Sequence, residues 1–174
     1  MTVIETSRIW LQTWHPDDSS EFRYIATDPE VMRFIGNGQV WDDARIASWI
    51  AKQIVNYRTL GFSFWKLIEK STNRLIGHSG IQYLANTGEI EIGWWLARRC
   101  WGQGFATEAA SGVLDYSFEN LKINRLVAIA YPENIASINI MKKIGMKFVR
   151  QTTGAELGLA YPEIQLVLYS IEKI

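Results

Sequence analysis

The sequence predicts a mixed α/β (α+β) fold: one domain, residues 1–174, with a mostly antiparallel sheet of six to seven strands and about four helices. Three observations predict it. Residues 62–96 hold three apolar-patterned segments separated by short turn signals, the layout of an antiparallel meander. Four further segments carry the 3.6-residue apolar period of amphipathic helices, each with a recognisable start or stop. No repeat, low-complexity run or linker interrupts the 174 residues.

Arg8 to Trp14 (RIWLQTW) alternates apolar and polar residues and is the first expected strand. His15-Pro16-Asp17-Asp18 starts a helix, with proline in the first turn and acids favouring the dipole. Phe22, Ile25 and Ala26 form its buried stripe, and it stops near Asp28-Pro29. Val31 to Gly38 is expected to be a short helical turn and a loop. A second helix starts at Asp42-Asp43, buries Ile46, Trp49, Ile50, Ile54 and Tyr57, and ends at Gly61. Strands follow at Phe62–Glu69, Arg74–Leu84 (bent at Gly77 or Gly80) and Glu89–Leu96, with a turn at Asn86-Thr87-Gly88 between the last two. Phe105 to Leu121 is a helix with Ala109, Val113, Tyr116 and Phe118 available for burial. Arg125 to Tyr131 is almost wholly apolar and suits a central strand. Asn134 to Ile144 is a helix stopped by Gly145, and Met146–Thr152 and Ile164–Ile171 are the last strands.

Composition removes several function classes. Eighteen basic and eighteen acidic residues cancel, so no global field draws nucleic acid or an anionic membrane. The single Cys100 excludes an internal disulfide and a cysteine metal site, and no His, Asp and Glu set has metal spacing. No apolar run reaches membrane-spanning length, and MTVIETSRIW lacks the layout of a signal peptide. A cytoplasmic location is the expectation.

The chain is organised around Trp94 to Ala110, WWLARRCWGQGFATEAA. A strand, a glycine-containing turn and a helix N-terminus in that order make an anion cradle, because the first-turn N–H groups lack partners and the dipole favours negative charge. Glycine at 102 and 104 keeps side chains away from those N–H groups. A plain strand-to-helix bend explains the same glycines. A nucleotide-binding Rossmann domain is disfavoured, since its glycine loop follows the first strand.

WGQGFATEAA, with ENIASINIMKKIGM about thirty residues on, resembles the GCN5-related N-acetyltransferase (GNAT) superfamily over nearly the whole chain, from Arg8 to Ile171. Within it the chain resembles the branch of the ribosomal-protein N-terminal acetyltransferases (RimJ/RimL-type). Two registers fit the family's loop pattern: Arg99-x-x-Gly102-x-Gly104, and Trp101-x-x-Gly104-x-Ala106, which matches that branch better. The resemblance implies a splayed sheet, acetyl-CoA as donor, a primary amine as acceptor and no metal. It implies pyrophosphate held by the loop of Trp101, Gly102, Gln103, Gly104, Phe105, Ala106 and Thr107. Pantetheine would lie between Glu89–Leu96 and Arg125–Tyr131, on the free backbone of Trp95 and Leu96 and on Asn134. Arg98 and Arg99 either add charge near the phosphates or form a solvated pair.

Amine attack on a thioester needs a group to take the ammonium proton. Glu89 and Glu91 share one strand face, and the family's glutamate on this strand points to Glu91 as base; Glu89, nearer the turn, is expected to be exposed. The departing thiolate needs a proton. Many relatives supply it from a tyrosine where this chain has Met141, and Ser137 is the nearest substitute. Asn134 also suits a helix N-cap. Glu108 is expected to point away from the loop, His78 to be structural, and Cys100 not to be a nucleophile. The expected function is direct acetyl transfer to a primary amine, suggested by the branch to be a protein N-terminal α-amine, in a monomer or homodimer. A small amine, amino acid or antibiotic is the alternative acceptor, and a non-catalytic acetyl-CoA-binding module the alternative of another class. The acceptor site is expected from Met32–Trp41, the second helix and the Thr153–Glu163 loop.

Overall fold

The alternating N-terminal residues build a hairpin. In a computed structural model describing residues 1–84 and 87–173, β1 (Thr2–Glu5) pairs antiparallel with β2 (Ile9–Gln12). The expected strand Arg8–Trp14 is β2, β1 before it was not expected, and the sheet has eight strands rather than six or seven. The reason lies far away in sequence. The connecting Thr6, Ser7 and Arg8 all bond to the carboxylate of Glu108, a hundred residues on.

Asp18 ends a proline-started 3-10 turn, and α1 (Ser19–Ala26) buries Phe22, Ile25 and Ala26. The short helix expected from Val31 lies earlier, as α2 (Pro29–Met32), because Asp28 caps it through the Glu30 N–H and Pro29 fills its first position. α3 (Asp43–Leu60) is capped by Asp42 and ends at Gly61, whose φ of 80° terminates it in the left-handed region. The meander is β3 (Phe64–Glu69), β4 (Arg74–Tyr83) and β5 (Ile90–Leu96). The register shifts opposite Leu67 and Ile68, leaving Ile76 beside Gly77 unpaired, a bulge where a bend was expected. A Cβ on Gly77 would lie 2.0 Å from the Trp95 carbonyl oxygen, so that strand approach admits only glycine. Asn86 of the expected turn lies outside the described residues.

After β5 come a 3-10 turn at Arg98–Cys100, α4 (Phe105–Glu119), β6 (Arg125–Ala130), α5 (Ile135–Lys143), β7 (Lys147–Thr153) and β8 (Gln165–Glu172). The strand order is β1-β2-β3-β4-β5-β6-β8-β7. Only β5 and β6 are parallel, and a single bridge, Glu91 to Val127, joins them. Every other neighbouring pair runs antiparallel through three to seven partners. Beyond Glu91 the two strands part, and the sheet is splayed towards the C-terminal end of β5. α4 packs on one face through Ala109, Ala110, Val113 and Leu114, all buried, while α1 and α3 cover the other with Phe22, Ile46 and Ile50. No helix among the described residues is long and apolar enough to cross a membrane.

Candidate active site

Two hydrogen bonds fix which way β5 presents its main chain. The Ala97 N–H donates to Ile76 and the Leu84 N–H donates to Glu89, at the two ends of an unbroken β4–β5 register. Since antiparallel partners alternate between bonded and non-bonded pairs, Glu91, Gly93 and Trp95 turn their peptide groups to β4. Trp94 and Leu96 turn theirs into the gap beside β6. The Trp95 backbone is thus turned to His78, and Trp94 lies with Leu96 on the edge facing β6. The Leu96 carbonyl accepts the Trp101 indole N–H at 2.9 Å, tying the loop to the strand end.

A cavity of about 470 Å³ opens at that gap. Gly102, Gly104, Phe105, Ala106 and Thr107 line it with Leu96, Trp101, Asn134 and Ser137. The first bond of α4 is the Glu108 N–H to the Gly104 carbonyl, so the N–H groups of Phe105, Ala106 and Thr107 precede the helical ladder. No side chain caps the helix. Gly102 and Gly104 take φ of 72° and 82°. A Cβ on Gly102 would meet nothing, so there glycine supplies backbone freedom rather than space. Gln103 does not line the cavity: its amide donates to the Arg99 carbonyl and its own carbonyl accepts from Arg8. Arg98 and Arg99 are also outside it, and Arg99 donates to Leu75. The cations that do line it are Arg33 and Lys143, which sequence reasoning missed. Lys143 was legible as a basic last-turn residue of α5, but its distance in sequence from the loop hid the connection.

Glu108 faces away from the cavity, as expected. Partial burial opposes its charge, but donors from Thr6, the Arg8 N–H, the Arg8 side chain and Ser7 outweigh it and hold the carboxyl below its usual range. Burial pushes the Cys100 thiol up, which disfavours a thiolate.

A second cavity of about 320 Å³ lies on the α1–α3 side, and shares Phe34, Ile35, Trp94, Trp95, Asn134 and Ser137 with the first. Its floor is the β4–β5 ladder. Cross-strand pairs Gln82–Glu91, Gly80–Gly93 and His78–Trp95 put Glu91, His78 and Trp95 on one face. Glu91 is half-buried in the cavity wall. Its surroundings push its pKa up to about 7 by desolvation, against which a 2.9 Å hydrogen bond from Gln82 works weakly. Glu89 is not freely exposed; it is half-buried and pairs with Arg125 at 3.3 Å. His78 is 1% exposed among Phe22, Trp49, Phe64 and Trp95, and burial lowers its pKa to about 3, so it stays neutral.

Asn134 caps α5 by accepting the Ser137 N–H at 3.1 Å. Ser137 sits where the two cavities meet, and Met141 lines the second one. Tyr131, also unforeseen, donates to the Gly36 carbonyl at 2.5 Å and links β6 to the loop after α2. Among the described residues no three His, Cys, Asp or Glu side chains gather as a metal site.

The profile of the Acetyltransferase (GNAT) domain matches residues 8–147. The YkkB protein of Bacillus subtilis (strain 168) is 34% identical over 150 residues, covering 84% of this chain and 86% of its own. The N-acetyltransferase p20 of Bacillus licheniformis, itself uncharacterized, is 30% identical over 84% of this chain and 83% of its own. RimL, a ribosomal L7/L12 α-N-protein acetyltransferase solved with coenzyme A, superposes with a TM-score of 0.81 at 14% identity, over 99% of this chain and 98% of that one, a likeness of fold.

Proposed function

The chain belongs to the GNAT acetyltransferase family and is an acetyl-CoA-dependent acyltransferase, and we propose that its acceptor is a protein N-terminal α-amine. The observation that carries the reading is the parting of β5 from β6 after a single bridge, beside a helix N-terminus with unpaired N–H groups.

In this reading the first cavity takes coenzyme A. The N–H groups of Phe105, Ala106 and Thr107 hold the pyrophosphate at the positive end of α4, with Gly102 and Gly104 giving the loop its backbone path and Arg33 and Lys143 adding charge. The pantetheine amides meet the peptide groups that Trp94 and Leu96 turn to the gap, the Leu96 carbonyl also accepting the Trp101 indole N–H, and the Asn134 side chain. That brings the thioester to the junction of the cavities, with Ser137 beside its sulfur and Glu91 on the acceptor side.

Glu91 takes a proton from the acceptor ammonium, and the free amine attacks the thioester carbonyl. The N–C bond forms and the C–S bond breaks; the second proton, shed by the new amide nitrogen, passes to Ser137 as the Ser137 hydroxyl gives its own to the departing thiolate, so that Ser137 ends unchanged. Holding the two reactants together supplies much of the rate. A carboxyl with a pKa of about 7 suits this work, because half of it is ionised at neutral pH. The RimJ/RimL-like assignment rests on the loop sequence and on the fold shared with RimL.

The test pairs calorimetry with turnover. Wild type should bind acetyl-CoA and release free thiol with N-terminal peptides faster than with free amino acids or aminoglycosides. No heat with CoA or acetyl-CoA would remove the coenzyme assignment, and faster turnover on the small amines would remove the acceptor assignment.

A further inference from the structure

The wall of the second cavity has an unusual electrical character. Among the described residues lining it, Glu91 is the one carboxylate, and no lysine or arginine reaches it. His78, the other ionisable base, is neutral. Apart from the neutral polar side chains of Gln82, Asn134 and Ser137, the rest is mainly aromatic and aliphatic. Trp49 stacks near-parallel on Phe22, Phe64 and Trp95 with centroids 5.2, 6.4 and 6.1 Å away, and Trp41 meets Trp95 edge-on at 5.0 Å. The opposite side brings Tyr131, Leu159, Tyr161 and Ile164.

Among the described residues, the charged groups nearest this wall other than Glu91 lie outside it. Arg45 lies on the outer side, its guanidinium on the Trp41 ring at 4.7 Å and bonded to the Tyr161 hydroxyl at 3.2 Å. Glu133 and Glu163 act on Tyr131 from the exposed rim.

We infer that the acceptor is a monoamine whose amine-bearing carbon carries an aromatic or aliphatic group and no second formal charge nearby. The chemistry describes an apolar first residue followed by a neutral amide, rather than a free amino acid or a polyamine. This inference rests on the proposed acceptor role of the Glu91 side. A carboxylate next to the amine would find no cation here, and a second ammonium no second acid. Either would lose its hydration without a partner, while rings and alkyl groups gain contact with the aromatic wall.

The test uses phenethylamine, phenylalaninamide, phenylalanine and spermidine, with the intact protein and saturating acetyl-CoA at pH 8. Binding is followed by tryptophan emission and turnover by free-thiol release. Phenethylamine and phenylalaninamide should be used with kcat/KM roughly 100-fold above phenylalanine and spermidine, the order an unpartnered charge imposes in a low-dielectric site. Ala160→Arg, at an exposed residue lining the cavity, should raise phenylalanine at least about 10-fold relative to phenylalaninamide. Equal use of phenylalanine and its amide, preference for spermidine, or an emission response to none of the four overturns the inference. Emission changes with phenylalaninamide but not phenylalanine, without turnover, would support it and sink the catalytic role of Glu91 instead.

Discussion

Glu91→Gln separates the proposed chemistry from the packing. The glutamine keeps the size of the side chain and an oxygen for the Gln82 amide, which donates to Glu91 at 2.9 Å. It removes the carboxylate proposed to take the proton at the cavity wall, where the neighbouring His78 is too weak a base to replace it. Loss of a general base costs about 100- to 10,000-fold in turnover. In the wild type the ionised form is the active one, so kcat/KM should rise with pH and level off above a midpoint of about 7. The variant should lose that limb. Stability should move the opposite way. The folded-state pKa lies above the ordinary 4.5, so the folded protein binds the proton more tightly than the unfolded chain. Wild-type stability therefore falls as pH rises from about 4.5 to about 7 and is flat beyond. A shift of this size corresponds to at most about 3 kcal/mol, and water reaching the half-buried carboxyl reduces it to roughly 1–2 kcal/mol. Glu91→Gln should thus melt a few degrees higher than wild type at pH 8 and match it near pH 4. Thermal unfolding across pH, with stopped-flow turnover on the same samples, checks both. A variant that keeps its rate, or that melts lower than wild type at pH 8, refutes the assignment of Glu91 as a desolvated base.

Three other perturbations address the remaining parts. Gly104→Val forces a β-branched residue to φ 82°, with its Cβ 3.4 Å from the Arg8 guanidinium; acetyl-CoA heat should vanish while far-UV circular dichroism stays native. Glu108→Ala strands Thr6, Ser7 and Arg8 and should cost about 2–3 kcal/mol in urea unfolding at pH 7. Because the wild-type carboxyl is held below its usual range, that stability is present above the unfolded pKa and is lost as pH falls through the folded one. Lys143→Ala should weaken CoA several-fold at low salt and progressively less as salt rises, since a cation lining the cavity would act on the phosphates through a salt-screened field.

The parts of the fold written in local pattern were legible. The meander, the helix faces at Phe22, Ile46 and Ala109, and the glycine stop at Gly61 follow from period and capping alone. The N-terminal hairpin was not, because its turn is held by Glu108 rather than by a turn sequence. The same limit hid Arg33 and Lys143. They belong to α2's end and α5, and only the tertiary fold brings them to the glycine loop. Arg98 and Arg99, adjacent in sequence, are carried off by the 3-10 turn.

The parity of β5 decides more than either cavity alone. On a strand, side chains alternate between faces while main-chain groups alternate between edges. The bonds from Ala97 to Ile76 and from Leu84 to Glu89 set odd residues against β4. Consequently Glu91 and Trp95 send side chains to the second cavity, while Trp94 and Leu96 send peptide groups into the parted edge. A one-residue slip would exchange both at once, turning the carboxylate towards α4 and the free edge groups to the wrong partners. Gly77 opposes such a slip, because any side chain there would strike the Trp95 carbonyl at 2.0 Å. One strand's register therefore holds the proposed base and the proposed donor groove in a fixed relation, and Gly77→Ala should impair both acetyl-CoA affinity and turnover although it touches neither cavity.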